Sequence, residues 1–202
     1  MAPVIVDPDR IKTFKDSAAF EAWLSKHHDS WPEVWLRIYK KHSGTPSVTP
    51  IEAIDVVLCW GWIDAIRKSY DDVSFLQRYT PRKGKSIWSQ INRDNVARLV
   101  AAGRMTEHGL KHVDAAKADG RWDAAYAAGK DMVVPADLLG AIESEPKALE
   151  TFQTLKRTNR FALAFRLGNL KTAAGREKKI RTFVDMLARG EMIHPQGKVD
   201  KS

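Results

Sequence analysis

Cysteine is almost absent from this chain of 202 residues, which contains one, Cys59. A single thiol cannot form an internal disulfide, and this favours a cytoplasmic protein. Cys59 stands beside Trp60 at the end of an apolar run. We therefore interpret it as a small buried hydrophobic residue rather than a nucleophile, since a nucleophilic thiol needs a nearby base.

Long apolar runs are also missing, because no stretch of about 18 apolar residues could span a bilayer. Residues 1–16 include Asp7, Asp9 and Arg10, and no apolar segment follows a basic start. We therefore expect neither a signal peptide nor a membrane span, and a cytoplasmic location.

The chain lacks the common nucleotide-binding and catalytic motifs, including Gly-x-Ser-x-Gly and the Rossmann glycine pattern. Gly84-Lys85-Ser86 resembles the end of a P-loop, but Tyr79 stands where that motif requires its first glycine. His108 and His112 have the spacing of two ligands on one helix, without a third ligand nearby. We predict no metal site and no cofactor.

Apolar residues make up 44% of the chain and include seven tryptophans, which is enough for a hydrophobic core. Thr49, Pro50 and Glu52 form the signature of a helix start, with Thr49 as the cap and Glu52 completing a capping box. Gly61 suits the left-handed residue that ends this helix. An earlier helix is predicted to begin at Ser17.

Three segments have the composition of β-strands, and an acidic turn at Asp71-Asp72 joins two of them. They are predicted to form a small antiparallel sheet and comprise Val34–Lys41, Trp62–Tyr70 and Ser74–Thr80. The first dozen residues show no such pattern and are expected to be a loose arm.

The rest of the chain shows helical patterns, with caps that mark where the helices begin. The predicted caps are Ser86, Thr106, Thr158 and Thr172, and a short helical piece is expected to include Trp122 and Tyr126. The predicted fold class is α+β: a small antiparallel sheet flanked by helices, followed by a C-terminal helical module, with helix exceeding strand by more than two to one. The expected divisions are a domain over residues 1–129, a helical module over 135–192 and a flexible tail over 193–202.

Positive charge is concentrated near the C-terminus. Residues 156–189 hold ten Lys and Arg against Glu177 and Asp185, which matches the net charge of +8 of the whole chain. The basic stretch is interpreted either as a solvated helical face or as a weak contact surface for nucleic acid or anionic membranes. The candidate nucleic-acid contacts are Lys156, Arg157, Arg160, Lys171, Arg176, Lys178 and Lys179.

A second group of cations, Arg78, Arg82, Lys83 and Lys85, lies within eight positions without an acid among them. A loop of this kind before a helix N-terminus offers cations and free N–H groups together, which predicts an anion site. An exposed basic loop beside a core tryptophan is the alternative. The predicted ligand-binding residues, expected to line one hollow open to water, are Trp62, Asp64, Arg78, Arg82, Lys83, Trp88, Ser89 and Asn92.

Asp64 allows two interpretations. It can form an ion pair with an arginine of the neighbouring strand, such as Arg78 or Arg82, or it can bind a cation beside the tryptophans. A role as general base requires a second carboxylate, and none stands at a suitable spacing.

Several motifs resemble the YdeI/OmpD-associated family, also called the bacteriocin-protection family. They are Cys59-Trp60-Gly61-Trp62-Ile63-Asp64, Arg78-Tyr79-Thr80-Pro81-Arg82-Lys83, Ser86-Ile87-Trp88-Ser89-Gln90-Ile91-Asn92, Gly103-Arg104-Met105, Gly109-Leu110 and Gly120-Arg121-Trp122. The resemblance extends over most of residues 14–190. Its basic C-terminal motif departs from the family pattern, because Gly175 and Lys178-Lys179 replace a Thr and an Arg-bearing pair. The resemblance implies a role in envelope stress or bacteriocin tolerance, and it implies no reaction.

Three hypotheses for function follow. The first is a non-enzymatic bacteriocin-tolerance protein that binds a small anionic or aromatic ligand. The second is a nucleic-acid-binding accessory protein that uses the basic C-terminal helices. The third is an enzyme acting on a phosphorylated or carboxylated molecule, with Asp64 as the base and arginines as clamps.

Overall fold

The computed structural model describes residues 4–127, 132–170 and 172–196. The chain forms two compact units, one up to Ala125 and one from Tyr126 onwards. Helices account for 51% of the residues and strands for 14%, so the predicted α+β class and the predicted excess of helix over strand are confirmed.

The N-terminal unit contains a four-stranded sheet with the strand order β1-β2-β4-β3. Its strands are β1 Ile11–Lys12, β2 Val34–Tyr39, β3 Trp62–Ser69 and β4 Ser74–Pro81. β1 runs parallel to β2, and the other neighbours are antiparallel. The expectation of a loose N-terminal arm was wrong for the part that forms β1. A short 3-10 helix, Pro8–Arg10, precedes β1, with its N-terminus capped by the Asp7 side chain.

Four α-helices of this unit begin where short polar side chains can cap them: α1 Ser17–His27, α2 Pro50–Cys59, α3 Gln90–Ala101 and α4 Glu107–Ala118. A 3-10 turn, Lys41–Ser43, lies between β2 and α2. The predicted capping box of α2 is confirmed, since Thr49 N donates to a Glu52 carboxylate oxygen at 2.8 Å and Glu52 N donates to Thr49 Oγ1 at 3.3 Å. Asp16, rather than Ser17, caps α1.

Two hydrophobic clusters stabilise the N-terminal unit. The sheet cluster packs one face of β2, β3 and β4 against α1 and α2, and its largest members are Phe20, Leu24, Leu36, Trp62 and Tyr79. The helical cluster joins α2, α3 and α4, and its buried members are Leu58, Cys59, Trp88, Val96, Leu99, Val113 and Ala116. The two predicted tryptophans of the site thus belong to different clusters.

The predicted helix start at Ser86 was wrong. The helix begins at Gln90, and Ser89 is its N-cap, because Ser89 Oγ accepts the N–H of Asn92 at 3.2 Å. The helical spacing of Trp88 and Ile91 was misleading, since Trp88 lies before the helix and is buried whereas Ile91 is half exposed. Trp122 lies in a turn rather than in the predicted short helical piece.

The C-terminal unit contains four helices in its described residues: α5 Ala136–Glu143, α6 Pro146–Thr154, α7 Arg157–Gly168 and α8 Ala173–Ala188. Its core includes Leu138, Ile142, Phe152, Leu163, Leu167, Phe183 and Leu187. Thr172 caps α8 as predicted, but α7 begins after Lys156 without a side-chain cap, so the predicted cap at Thr158 was wrong.

The stretch between the two predicted divisions, residues 130–134, and the predicted tail fall only partly within the described residues. Residues 132–134 form no helix, and residues 128–131 lie outside the described part. In the segment predicted as a tail, His194 N donates to Asn159 Oδ1 at 2.9 Å, and Gln196 Oε1 accepts from Asn159 Nδ2 at 3.0 Å. Residues 197–202 lie outside the description. Within the described residues, no helix is long and apolar enough to cross a membrane.

Candidate functional site

The site is organised by Arg82, which follows the last residue of β4 and is only 5% exposed. Its guanidinium carbon lies 3.5 Å from the centroid of the Trp88 ring. Its backbone N–H donates to Gly61 O at 2.9 Å, and Nη1 donates to Ile87 O at 3.4 Å. A buried cation stacked on an indole is a strong contact because little water competes with it. Arg82 therefore fixes both ends of the loop between β4 and α3.

Trp88 completes this anchor from the other side. It is 2% exposed and meets the edge of Trp122 at a centroid distance of 4.9 Å. The ring faces of Trp88 are thus occupied by protein, and Trp88 is not available as a stacking surface for a ligand. Trp88 is therefore a core residue, and the exposed basic loop lies beside it.

Between these anchors, the loop presents two lysines to solvent. Lys83 and Lys85 are exposed, and neither forms an ion pair within the described residues. The loop has a defined shape, since Lys83 N donates to Ser86 Oγ at 3.0 Å and Ser86 N donates to Lys83 O at 2.9 Å. Because the backbone of the loop is held in place, binding an anion would order less of it than of a flexible loop.

Further cations surround the anchored loop. Arg121 Nη1 donates to Ser86 O at 2.8 Å, and its Nε contacts both carboxylate oxygens of Asp119. The pKa of His112 is lowered, first by burial and then by the positive charges of Arg82, Lys111 and Arg121. The three cations thus lie close enough to His112 to contribute to its lowered pKa, and cations beside the loop would favour a bound anion.

The sequence prediction did not include Arg121 or His112 in this group. Arg121 was noted only within the motif Gly120-Arg121-Trp122, and His112 only as one half of a metal spacing. No group of three or more potential metal ligands occurs in the described residues. The sequence contains no signal that places His112 at this site, because its position beside Arg82 depends on how α4 packs against α2.

Two of the predicted site residues have other partners. Trp62 is 1% exposed in the sheet cluster, and its Nε1 donates to His28 O at 3.0 Å. Arg78 Nε donates to Glu33 Oε2 at 2.7 Å, and the two residues form an ion pair. Trp62 and Arg78 therefore support the core and the sheet, and they do not join Arg82 at the loop.

Asp64 lies exposed on β3, and it forms no ion pair within the described residues. The expected pair with Arg78 does not form, because Asp64 is opposite Tyr79 and Arg78 points to the other face of the sheet. Although solvent reaches its side chain, desolvation by the surrounding protein atoms raises the pKa of Asp64, while Arg82 and Arg67 act in the lowering direction.

Ser89 and Asn92 are buried at the start of α3. The hydroxyl of Ser89 caps the helix, so its acceptor capacity is used within the protein. Cys59 is buried, and burial raises the pKa of its thiol to about 11, consistent with a packing role rather than nucleophilic chemistry.

Two of the predicted nucleic-acid contacts stabilise helix ends. Arg160 donates to Leu155 O at 3.1 Å and to Gln153 O at 3.3 Å, after the end of α6. Arg176 makes a bidentate contact with Asp137 at 2.6 and 2.9 Å. Both guanidinium groups therefore have structural partners.

The remaining predicted nucleic-acid contacts differ in how exposed they are. Three of them are exposed: Lys156 at the N-cap of α7, Arg157 on α7 and Lys178 on α8. Lys179 lies with its ammonium 5.6 Å from the Phe183 ring centroid, and Lys171 is outside the described residues.

A pocket of about 500 Å³ lies elsewhere on the N-terminal unit, against Trp31. Arg10 and Lys12 line it, and their charged groups lie 4.6 and 5.3 Å from the Trp31 ring centroid. Asp7 and Asp9 also line this pocket, so its charge is balanced rather than positive.

Two family models match the chain. Residues 12–112 match a domain of unknown function (DUF8412), and residues 131–190 match the model described as bacteriocin-protection, YdeI or OmpD-associated. The motifs between Cys59 and Asn92 therefore lie in the first match, although their resemblance pointed to the second family. No curated protein and no solved structure matches the chain.

Proposed function

Because the chain belongs to the DUF8412 family over its N-terminal half and carries a bacteriocin-protection, YdeI or OmpD-associated domain in residues 131–190, we propose that it is a non-enzymatic accessory protein of bacteriocin tolerance. In this proposal, the N-terminal unit binds a small anionic ligand at the loop between β4 and α3. The ligand contacts are Lys83 and Lys85, with Arg82 as the buried residue that holds the loop.

The observation that carries the proposal is the buried stack of Arg82 on Trp88, with a 3.5 Å separation, beneath two exposed lysines that have no ion pair within the described residues. Here Arg82, Lys111 and Arg121 all act on His112, so the positive potential extends from the loop to α4. A phosphate or carboxylate group would be attracted to that surface.

A thermal-shift screen with small anions tests the proposal, because a ligand that binds the folded state raises its melting temperature. Inorganic phosphate, nucleotides and aromatic carboxylates would be compared on the wild type and on Lys83→Gln/Lys85→Gln. We expect at least one anion to stabilise the wild type and to lose its effect in this variant. Lys26→Gln/Lys41→Gln, which removes the same charge from exposed positions of the same unit, should respond like the wild type.

Two results would contradict the ligand site. The first is a library without any anion that shifts the wild type. The second is an equal thermal shift of the loop variant and the control variant. Loss of binding in Arg10→Gln/Lys12→Gln would then place the site in the Trp31 pocket. Survival of a bacteriocin-exposed strain carrying each variant connects the site to tolerance, and we expect the loop variant to protect less than the control.

The nucleic-acid alternative has weaker support, because Arg160 and Arg176 are used at helix ends and in an ion pair. Binding of random duplex DNA at low salt, measured by fluorescence anisotropy, would favour it, and it should then weaken steeply as salt rises. The enzyme alternative lacks a partner for Asp64, which lies on β3 without a second carboxylate paired to it in the described residues.

A further inference from the structure

β3 is an edge strand whose outer side is open to solvent. It spans Trp62–Ser69 and, within the described residues, it pairs only with β4. Its central residues, 64–67, are all exposed, and Ile66 is 40% exposed. An edge strand with an exposed centre can pair with a further strand unless charges or a distortion prevent this.

The distortion in β3 is a bulge between Asp64 and Arg67, where two residues face one residue of β4. Gln77 Nε2 lies 3.4 Å from both carbonyl oxygens of the bulge, those of Ala65 and Ile66. These carbonyls are thus occupied within the chain. The bulge also shifts the alternation of side chains between the two faces of the sheet. Asp64, which pairs with Tyr79, and Arg67, which pairs with Gln77, therefore lie on the same face.

The hydrogen-bond alternation directs the backbone of Asp64 outwards. Arg82 N donates to Gly61 O, so Gly61 stands where a hydrogen-bonded pair of the ladder falls, although Gly61 N itself donates to Leu58 O. In an antiparallel ladder such pairs alternate with non-bonded ones, and the N–H and C=O of Asp64, three positions further on, therefore point away from β4. The same alternation, with the bulge included, directs the backbone of Arg67 outwards.

The two outward residues carry opposite charges, and Arg67 and Arg82 of the same chain already act on Asp64 in the direction that lowers its pKa. Neither Asp64 nor Arg67 forms an ion pair within the described residues. Arg67 donates to Gln77 Oε1 at 3.0 Å and lies 4.5 Å from the Phe75 ring centroid, which fixes its position without balancing its charge. Desolvation by neighbouring protein atoms raises the pKa of Asp64 although the side chain is reached by solvent, so the carboxylate would gain from a further cation.

We propose that two copies of this chain associate through their β3 strands, antiparallel and about a two-fold axis between Ala65 and Ile66. In this register, Asp64 of each copy is opposite Arg67 of the other, and both side chains lie on one face. Trp62 at the start of the strand is 1% exposed, so the pairing is confined to the exposed centre of β3, residues 64–67. The two bulges meet at the axis, and the two four-stranded sheets become one continuous sheet.

Self-complementarity is the reason for choosing a second copy as the partner. The bulge separates Asp64 and Arg67 by three positions, and the same separation on an antiparallel second strand brings each charge against its opposite. Opposite charges directly across a strand pair stabilise it, and like charges destabilise it. A regular strand with these two residues would place them on different faces, and the pairs would not form.

Sedimentation velocity of the full chain over a concentration series in the micromolar range tests the proposal. We expect a reversible dimer for the wild type. Asp64→Arg places two arginines opposite each other at both contacts and should weaken the dimer by about tenfold or more. Arg67→Asp should weaken it similarly, and the exchanged double variant should associate more tightly than either single variant.

The rescue by the double variant separates pairing from damage to the fold, because loss of the Arg67 contact to Phe75 affects the single and the double variant alike. Asp114→Arg makes the same charge change at an exposed position of α4 and should dimerise like the wild type. A wild type that stays monomeric throughout the series overturns the proposal. Equal dimerisation of all variants, or a double variant no better than the singles, also overturns it.

Discussion

Replacement of Gly61 by alanine should destabilise the N-terminal unit more than the backbone conformation alone requires. Gly61 follows α2 with a φ of +71°, a region where an L-residue costs about 1–2 kcal/mol. An added Cβ would also lie 2.7 Å from His108 O and 2.6 Å from His112 Cδ2. The backbone carbonyl cannot easily move, so overpacking should add about 1–3 kcal/mol.

Gly103 provides a matched control, since it follows α3 with a φ of +65° and an added Cβ would meet nothing within 4 Å. Gly103→Ala should therefore lose only about 1–2 kcal/mol of the free energy of unfolding, and Gly61→Ala roughly 2–5 kcal/mol in total. Urea unfolding followed by tryptophan fluorescence measures the stability of the N-terminal unit, because all seven tryptophans precede Ala125. Equal losses in the two variants would refute the close packing of α4 against Gly61.

Two further predictions concern buried polar groups. Glu33→Ala removes the partner of Arg78 and the acceptor of Trp35 Nε1, so it should cost about 1–3 kcal/mol in urea unfolding. Glu107→Ala, whose side chain is 89% exposed beside His108, should stay within about 0.5 kcal/mol. Burial raises the pKa of Cys59 from 9.0 to about 11, so between these values the unfolded thiol loses its proton while the folded thiol keeps it. The free energy of unfolding should therefore fall with rising pH across this window, and less steeply in Cys59→Ala; identical slopes would show that the thiol is not protected.

Much of the architecture was predictable because its signals are local. The helix that begins after Thr49 needs only a cap, a proline and a glutamate within four positions, and these residues form the predicted capping box. The acidic turn between β3 and β4 follows in the same way from adjacent residues. The start of α3 was predicted three residues too early, because Trp88 has a helical spacing but is buried before the helix begins.

The composition of the candidate site could be predicted only in part. The basic loop with Arg82 was visible as a run of cations without acids, and Arg82 does approach Trp88. The choice of partner for each charge was not visible, because Arg78 pairs with Glu33, 45 positions away in the chain. His112 joins the loop from a separate helix for the same reason.

The sequence by itself determined the helix caps, the strand composition, the concentration of positive charge and the presence of one unpaired thiol, since each of these depends on neighbouring residues or on counts. Only the tertiary structure decided which face each strand residue occupies, because a single bulge in β3 brings Asp64 and Arg67 to one side. It also decided that Trp62 and Trp88 enter separate cores. Strand register and long-range packing select among contacts that the sequence leaves equally possible.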